Sequence, residues 1–528
     1  MVNESDSAHT LSRTLIVVLV LAALLAFALR VVPQPRTIDD AFITFRYSRN
    51  LVDGEGFVYN TGSRTLGTTT PLYTLLLAGV SLLTGSDLYP WLALWINALA
   101  DAVTVILLGL LLFRISGRVV LAGVIGVLWA ISPMSVTFAV GGMETSVAVL
   151  FSVAAAWAYF EGRGWWMALF SALGVLTRID AALWVGPLFL HQAYIALRAA
   201  LAEGRLRNWR SWVPWRDWLT FAVVVIPWHI FSLAYFGTLF SRSAAAKRVA
   251  YDVAPLHALT RLLQHIATPF LEHETLGIPG IVIGIFLYPA LAAVGTLFVL
   301  RQKPRLLPFV LYPWIYVVAF SVANPLIFRW YLAPPLPAYF VAIVLGLWAL
   351  GGTIAESVKR PQALPVGVGI VGVLWALLSL NAWVLEPDHG PDRPAPDMAW
   401  HEIELNYRVM GEMLRDEFGT TPETVVAAGD IGAVGYYSHA HILDTVGLIT
   451  PEIIDYYPLD EAILVEGENY AVPPAIVLDY QPQFIVFMEN FVANGLAQDP
   501  AFVAQYEIVH EIATDYYGGR MILYQRRD

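Results

Sequence analysis

Long apolar runs separated by short polar connections dominate the first 385 of the 528 positions. A membrane-spanning helix needs about 20 mostly apolar residues. Eleven stretches are read as spans, near 14–33, 90–113, 118–136, 145–160, 165–177, 181–198, 217–236, 278–300, 306–323, 334–351 and 365–385. The runs at 145–160 and 165–177 are short for the task. Residues 71–84 form a further apolar run of 14 residues, too short to span and read as a re-entrant or interfacial helix.

Basic residues orient the bundle. With the N-terminus inside, the short cytoplasmic loops and the N-terminal flank hold 14 bases, among them Arg114, Arg163, Arg205, Arg207, Arg301 and Lys359. The opposite orientation, or a true span at 71–84, would export these clusters. Ala26-Phe27-Ala28 resembles a signal-peptide cleavage site, but Arg13 is a poor positive flank and the run is long, so it is read as an uncleaved anchor.

Two segments then fall on the extracytoplasmic side. The loop 33–89 carries an amphipathic pattern over 38–53, with Thr37 in a capping position and Gly54 at its end. Asp39, Arg46, Asn50 and Asp53 share one stripe of this helix, and Ile38, Ala41, Phe42, Phe45 and Val52 form an apolar stripe beside it. That predicts a helix lying in the membrane interface. Residues 386–398, with Pro387, Pro391, Pro394 and Pro396, read as a linker to a C-terminal domain at 399–528. There an amphipathic helix near 399–418 precedes apolar runs at 424–428, 475–478 and 484–488, which predict strands and a small α/β domain. The fold class is therefore a polytopic α-helical membrane domain over 1–385 with an extracytoplasmic α/β domain.

Composition agrees. Hydrophobic residues make up 57% and charged residues 14%, with mean hydropathy +0.61, against roughly 25% charge in soluble domains. Residues 386–528 hold 25 acids and 6 bases, net −19, and residues 1–385 are net +8, so the two parts face different solvents. With no cysteine there is no disulfide or thiolate chemistry. Acidity without a basic cluster beside aromatics argues against nucleic acid.

The candidate chemistry sits on the outer face. Adjacent acids Asp39 and Asp40 follow the first span and read either as a general base or as acids satisfying a helix dipole. Arg178, Lys247, Arg248 and Arg329 are cations at the depth of a lipid head group, to hold a phosphate or to snorkel. Glu144, in Gly141-Gly142-Met143-Glu144, lines a pocket or caps a helix. Asp101 lies near mid-membrane, where it must pair, protonate or face a cavity. His439 and His441 with Asp444 are too few for a metal site. Gly429-Asp430-Ile431-Gly432 has the wrong spacing for a dinucleotide fingerprint and reads as a turn.

In order, Thr37-Ile38-Asp39-Asp40-Ala41-Phe42-Ile43-Thr44-Phe45-Arg46-Tyr47, Gly54-Glu55-Gly56-Phe57-Val58-Tyr59-Asn60, Gly67-Thr68-Thr69-Thr70-Pro71, Gly142-Met143-Glu144-Thr145, Thr177-Arg178-Ile179-Asp180 and Phe328-Arg329-Trp330-Tyr331 resemble the GT-C glycosyltransferase superfamily. The first three look most like the mycobacterial terminal arabinofuranosyltransferases, and are similar to the protein mannosyltransferase and aminoarabinose transferase group. The acidic pair is the specific signal. The resemblance implies an inverting enzyme that moves a sugar, such as a pentofuranose, from a polyprenyl phosphate to a glycan, lipid or protein acceptor. Asp39 would be the base, Asp40 its support, and Glu144, Arg178, Asp180, Lys247, Arg248, Arg329 and Tyr331 would bind substrate. No protein-held metal is assigned; a divalent cation is compatible with this chemistry but not required. The chain departs from the aminoarabinose and mannosyl branch at Thr69-Thr70-Pro71, where that branch often has Lys-Pro-Pro. A lipid-linked-sugar transporter is the alternative, although no internal repeat supports it.

Overall fold

The computed structural model describes residues 12–385, 398–514 and 519–527. The linker expected at 386–398 lies, but for its last residue, outside the described residues. Every stretch read as a span is helical: Arg13–Val31, Tyr89–Ser116, Val119–Ile131 with Pro133–Val140, Thr145–Phe160, Gly164–Thr177, Ala182–Ala202, Trp215–Phe236, Ile278–Gln302, Leu307–Ala323, Leu336–Ser357 and Ala363–Asn381. Seven described helices are long and apolar enough to cross a membrane, or eight if the pair at 119–140 is one span, which falls short of the eleven expected. That pair bends by 48°. Pro133 begins its second half, because proline cannot continue the first helix's hydrogen bonding. Thr145–Phe160 and Gly164–Thr177 are shorter and lean on each other and on their neighbours.

Charge deep in the bundle is paired. Arg30 Nε donates to Asp101 Oδ2 at 3.0 Å, and Trp129, Ser135 and Ser146 also donate to that carboxylate. Arg30 donates further to Ser135 and to the Ala130 carbonyl. Both charged side chains are fully buried, so losing either one would strand the other in apolar surroundings. His191 meets Tyr159 Oη at 2.7 Å.

Pro71–Thr84 forms with the expected bounds. The helix expected at 38–53 forms as Asp39–Val52, with two corrections. Its N-cap is Ile38 and makes no side-chain capping bond, so Thr37 is not the cap and the two acids take the first and second positions. It does not float in the interface either. Ten of its 14 residues are buried, because Pro71–Thr84 covers one side and the C-terminal domain covers the polar edge.

The C-terminal domain opens with the helix Glu402–Asp416 and holds five strands: β1 (Val425–Ala428), β2 (His441–Asp444), β3 (Phe484–Met488), β4 (Tyr506–Ala513) and β5 (Arg520–Arg526). They form one mixed sheet in the order β2-β1-β3-β5-β4. β1 is parallel to both neighbours, and β5 is antiparallel to β3 and β4. The run at 475–478 is not a strand but part of the helix Pro474–Tyr480, nucleated by proline at its first position. Four apolar residues in a row fit either structure by periodicity. β2, β4 and β5 were not foreseen.

Candidate active site

The site lies where the N-terminus of Asp39–Val52, the helix Ser243–Ala250, the segment 324–335 and the C-terminal domain converge. Its geometry follows from how the domain grips the loop. Arg46 Nη1 donates to the Gly435 carbonyl at 2.7 Å and Nη2 to the Ala440 carbonyl at 2.6 Å, while the guanidinium lies over Tyr59. Asn60 exchanges two bonds with the Ile442 backbone, at 2.8 and 2.9 Å, extending the edge strand β2. Tyr59 Oη donates to the Ile431 carbonyl. Phe42 packs on Tyr436 and Tyr437. Two glycines permit the approach: a Cβ on Gly432 would collide with the Asp39 carbonyl, and one on Gly435 with Tyr59 Oη and Arg46.

Asp39 is 9% exposed. Its Oδ2 accepts Gly432 N–H at 2.9 Å and its Oδ1 accepts Ala433 N–H at 2.7 Å, both at the start of the helix Gly432–Ser438. A carboxylate offers about four lone-pair positions, so two remain. Burial first, and then the negative charge of Asp430, raise the proton affinity of Asp39 above the usual carboxylate range; the two amides oppose this. Asp40 is more open and lies 3.5 Å from Lys247 Nζ. Burial lowers the proton affinity of Lys247, but Asp40, together with Tyr331 and Asp430, outweighs it and the net shift is upward. Lys247 also lies over the Phe328 ring, 4.4 Å from its centre, which ties it to the segment carrying Arg329.

Arg329 Nη1 lies 3.2 Å from His401 Nε2 on the C-terminal domain. Burial and that guanidinium push the imidazole down to about 3, so it is neutral and accepts. Burial, and after it the Arg329 charge, lowers the proton affinity of Arg261, a second cation beside Arg329.

The structure thus gathers Asp39, Asp40, Lys247 and Arg329. Glu144, Arg178 and Asp180 form a separate buried network: Arg178 donates to Glu144 Oε1 at 2.6 Å and to both Asp180 oxygens at 3.0 and 2.9 Å. Arg178 is therefore committed to two carboxylates rather than open to a phosphate, and Glu144 accepts from it instead of capping its helix. Tyr331 lies between the two groups, its ring near Arg178 and its carbonyl accepting Tyr316 Oη. Arg248 is exposed on the far face of its helix.

Sequence reasoning missed Asp430, Glu404 and Tyr407. Asp430 is half-buried and accepts Tyr407 Oη at 2.9 Å; burial raises its proton affinity and the tyrosine bond opposes that. Burial and the Asp39 charge raise Glu404. Asp430 carried a signal, an acid inside a glycine-rich turn after a strand, but only the fold shows what it faces. Among the described residues no group of three or more His, Asp or Glu side chains is arranged to hold a metal. His439 instead approaches Arg49, and Asp444 accepts the Val446 and Ile449 amides.

Residues 397–524 match a family described as a domain of unknown function, DUF8728. No curated protein matches the sequence. Among solved structures, ArnT from Cupriavidus metallidurans bound to undecaprenyl phosphate is 12% identical over 96% of this chain and 97% of its own, with a TM-score of 0.56. Its apo state gives 12%, 96%, 97% and 0.55. The arabinofuranosyltransferase AftD from Mycobacteria is 15% identical over 98% of this chain and 40% of its own; its TM-score of 0.39 is too low to argue from. The likeness to ArnT extends over the bundle and the C-terminal domain together, and the chain accordingly shares the fold of ArnT.

Proposed function

We propose that this protein is a glycosyltransferase that takes its sugar from a polyprenyl phosphate. The observation that carries this reading is the convergence of Asp39, Asp40, Lys247 and Arg329 at one end of a bundle with the fold of ArnT, which binds undecaprenyl phosphate. Lys247 and Arg329 are suited to hold the donor phosphate, and their charge would stabilise the negative charge that develops as it leaves. Asp39 takes the proton of the acceptor hydroxyl while that oxygen bonds to the anomeric carbon. The anomeric bond to phosphate breaks and polyprenyl phosphate departs, which inverts the configuration in a single displacement. Two amides fix the carboxylate in place, and its raised proton affinity suits a base working near neutral pH. Asp40 steers Lys247.

We place this face outside the cytoplasm, on the basis of the basic loops, and the acceptor is a glycan, lipid or protein hydroxyl there. The transporter alternative has less support, because Asp101 is held by Arg30, Trp129, Ser135 and Ser146 and the convergent charges lie elsewhere. The test is incubation of the purified protein in membranes with a panel of polyprenyl-phosphate sugars and acceptors. Release of polyprenyl phosphate with glycosylated acceptor is expected from one of them; transport of donor without release would overturn the reading.

A further inference from the structure

Asp430 belongs to the domain whose family has no assigned function, yet it faces the acids of the first loop. We propose that Asp430 is a positioning residue that sets the pH at which Asp39 becomes a base, so that residues 398–527 form half of the active site. This rests on reading Asp39 as the base.

The argument begins with rigidity. Asp430 stands two residues before the first of the amides that hold Asp39. The turn between them is pinned from the loop by Tyr59 on the Ile431 carbonyl, and Asp430 is pinned from its own domain by Tyr407. Arg46 and Asn60 fasten the flanking backbone. Two carboxylates with like charge in so fixed a frame cannot move apart, so the first to ionise hinders the second. The other groups around them are Asp40 on the same helix as Asp39, Tyr59 in the loop, Tyr251 just after Ser243–Ala250, and Glu404 and Tyr407 on Glu402–Asp416. Lys247 faces Asp40 and Asp430, and Arg329 faces Glu404. Four acids thus gather around Lys247 and Arg329, with Arg261 beside Arg329. The Asp430 charge is the largest influence on Asp39 after burial.

The sign follows. A neighbour that raises the proton affinity of Asp39 keeps it protonated, and idle as a base, up to higher pH. Removing that neighbour's charge moves the acid limb of kcat/KM to lower pH.

The test is the pH profile of kcat/KM in the donor-panel assay for Asp430→Asn, Asp430→Glu and Tyr407→Phe. Asp430→Asn is expected to shift the acid limb down by about one pH unit, and Asp430→Glu, which keeps the charge, to leave it near the parent. Tyr407→Phe removes the bond that favours ionised Asp430, so Asp430 holds its proton longer and the limb moves down by a smaller step. An unmoved limb in Asp430→Asn overturns the proposal, as does a folded Asp430→Asn with no activity at any pH. If Asp430→Asn does not fold, Tyr407→Phe decides by the same criterion. Full activity in Asp39→Asn would overturn the underlying reading instead; an inactive Asp39→Asn beside an unmoved limb in Asp430→Asn overturns this inference alone.

Discussion

Asp39→Asn replaces one carboxylate oxygen with an amino group while one acceptor oxygen remains. In the parent, each oxygen takes one backbone N–H of the C-terminal domain. Asparagine can satisfy only one of the two, and turns its own N–H toward the other. At low pH, where Asp39 is a neutral acid, the lost acceptor and the stranded amide donor together cost about 1–3 kcal/mol. Against this, the variant no longer ionises a buried group beside Asp430, and that gain depends on pH. An acid whose proton affinity is raised by folding stabilises the fold fully below the ordinary carboxylate range near 4, and that contribution is lost as pH rises through the raised value. The parent therefore loses stability with rising pH where the variant does not, and the gap between them narrows. At pH 5 the variant should melt several degrees lower, and near pH 9 the difference should have shrunk. Turnover should fall by roughly 10² to 10⁴ above the acid limb, where the parental Asp39 is ionised, because no proton acceptor remains. Melting curves in detergent and released polyprenyl phosphate, at matched expression, read the two effects separately. A less stable variant with parental turnover would refute the chemical role and leave Asp39 as a pin between domains. Asp40, more open and opposite Lys247, would then be the next candidate base.

Lys247→Met and Arg329→Met should each weaken donor binding about ten- to a hundredfold with little change in acceptor binding, measured by titration with polyprenyl phosphate. Arg46→Met leaves the Gly435 and Ala440 carbonyls unpaired in a buried contact, so protease should cleave 398–527 from the bundle faster than in the parent. Gly432→Ala pushes a methyl group into the Asp39 backbone and should loosen the domain as much as Arg46→Met; equal protease resistance to the parent would refute the docking geometry. A tag at Arg207 should be reached only from the cytoplasmic side, and finding it outside would invert the topology.

Much of the bundle was legible because a hydrocarbon slab imposes length and composition on whatever crosses it. Pro71–Thr84 was legible as a short helix from its mostly apolar run of 14 residues. The face of Asp39–Val52 was not, because a polar stripe looks alike whether it meets water or the backbone of another domain. Arg46 and Asn60 serve carbonyls and amides more than 380 residues away, and no local pattern announces such partners. Arg30 was missed as the partner of Asp101 for a related reason, since the pair joins two helices 71 positions apart. A short strand such as β2, four residues long, carries too few alternations to separate from a turn. The acid of Gly429-Asp430-Ile431-Gly432 was visible as a turn, and its neighbours were not.

The amides that hold Asp39 lie 393 and 394 residues further along the chain. A ribosome makes the acidic loop near the beginning and its clasp near the end, so every span must be inserted before the two can meet. Contacts of such separation form late. A chain made only as far as the bundle therefore displays its carboxylates without the groups that fix them. On the proposed function, activity waits until the C-terminal domain has been made and has closed on Asp39.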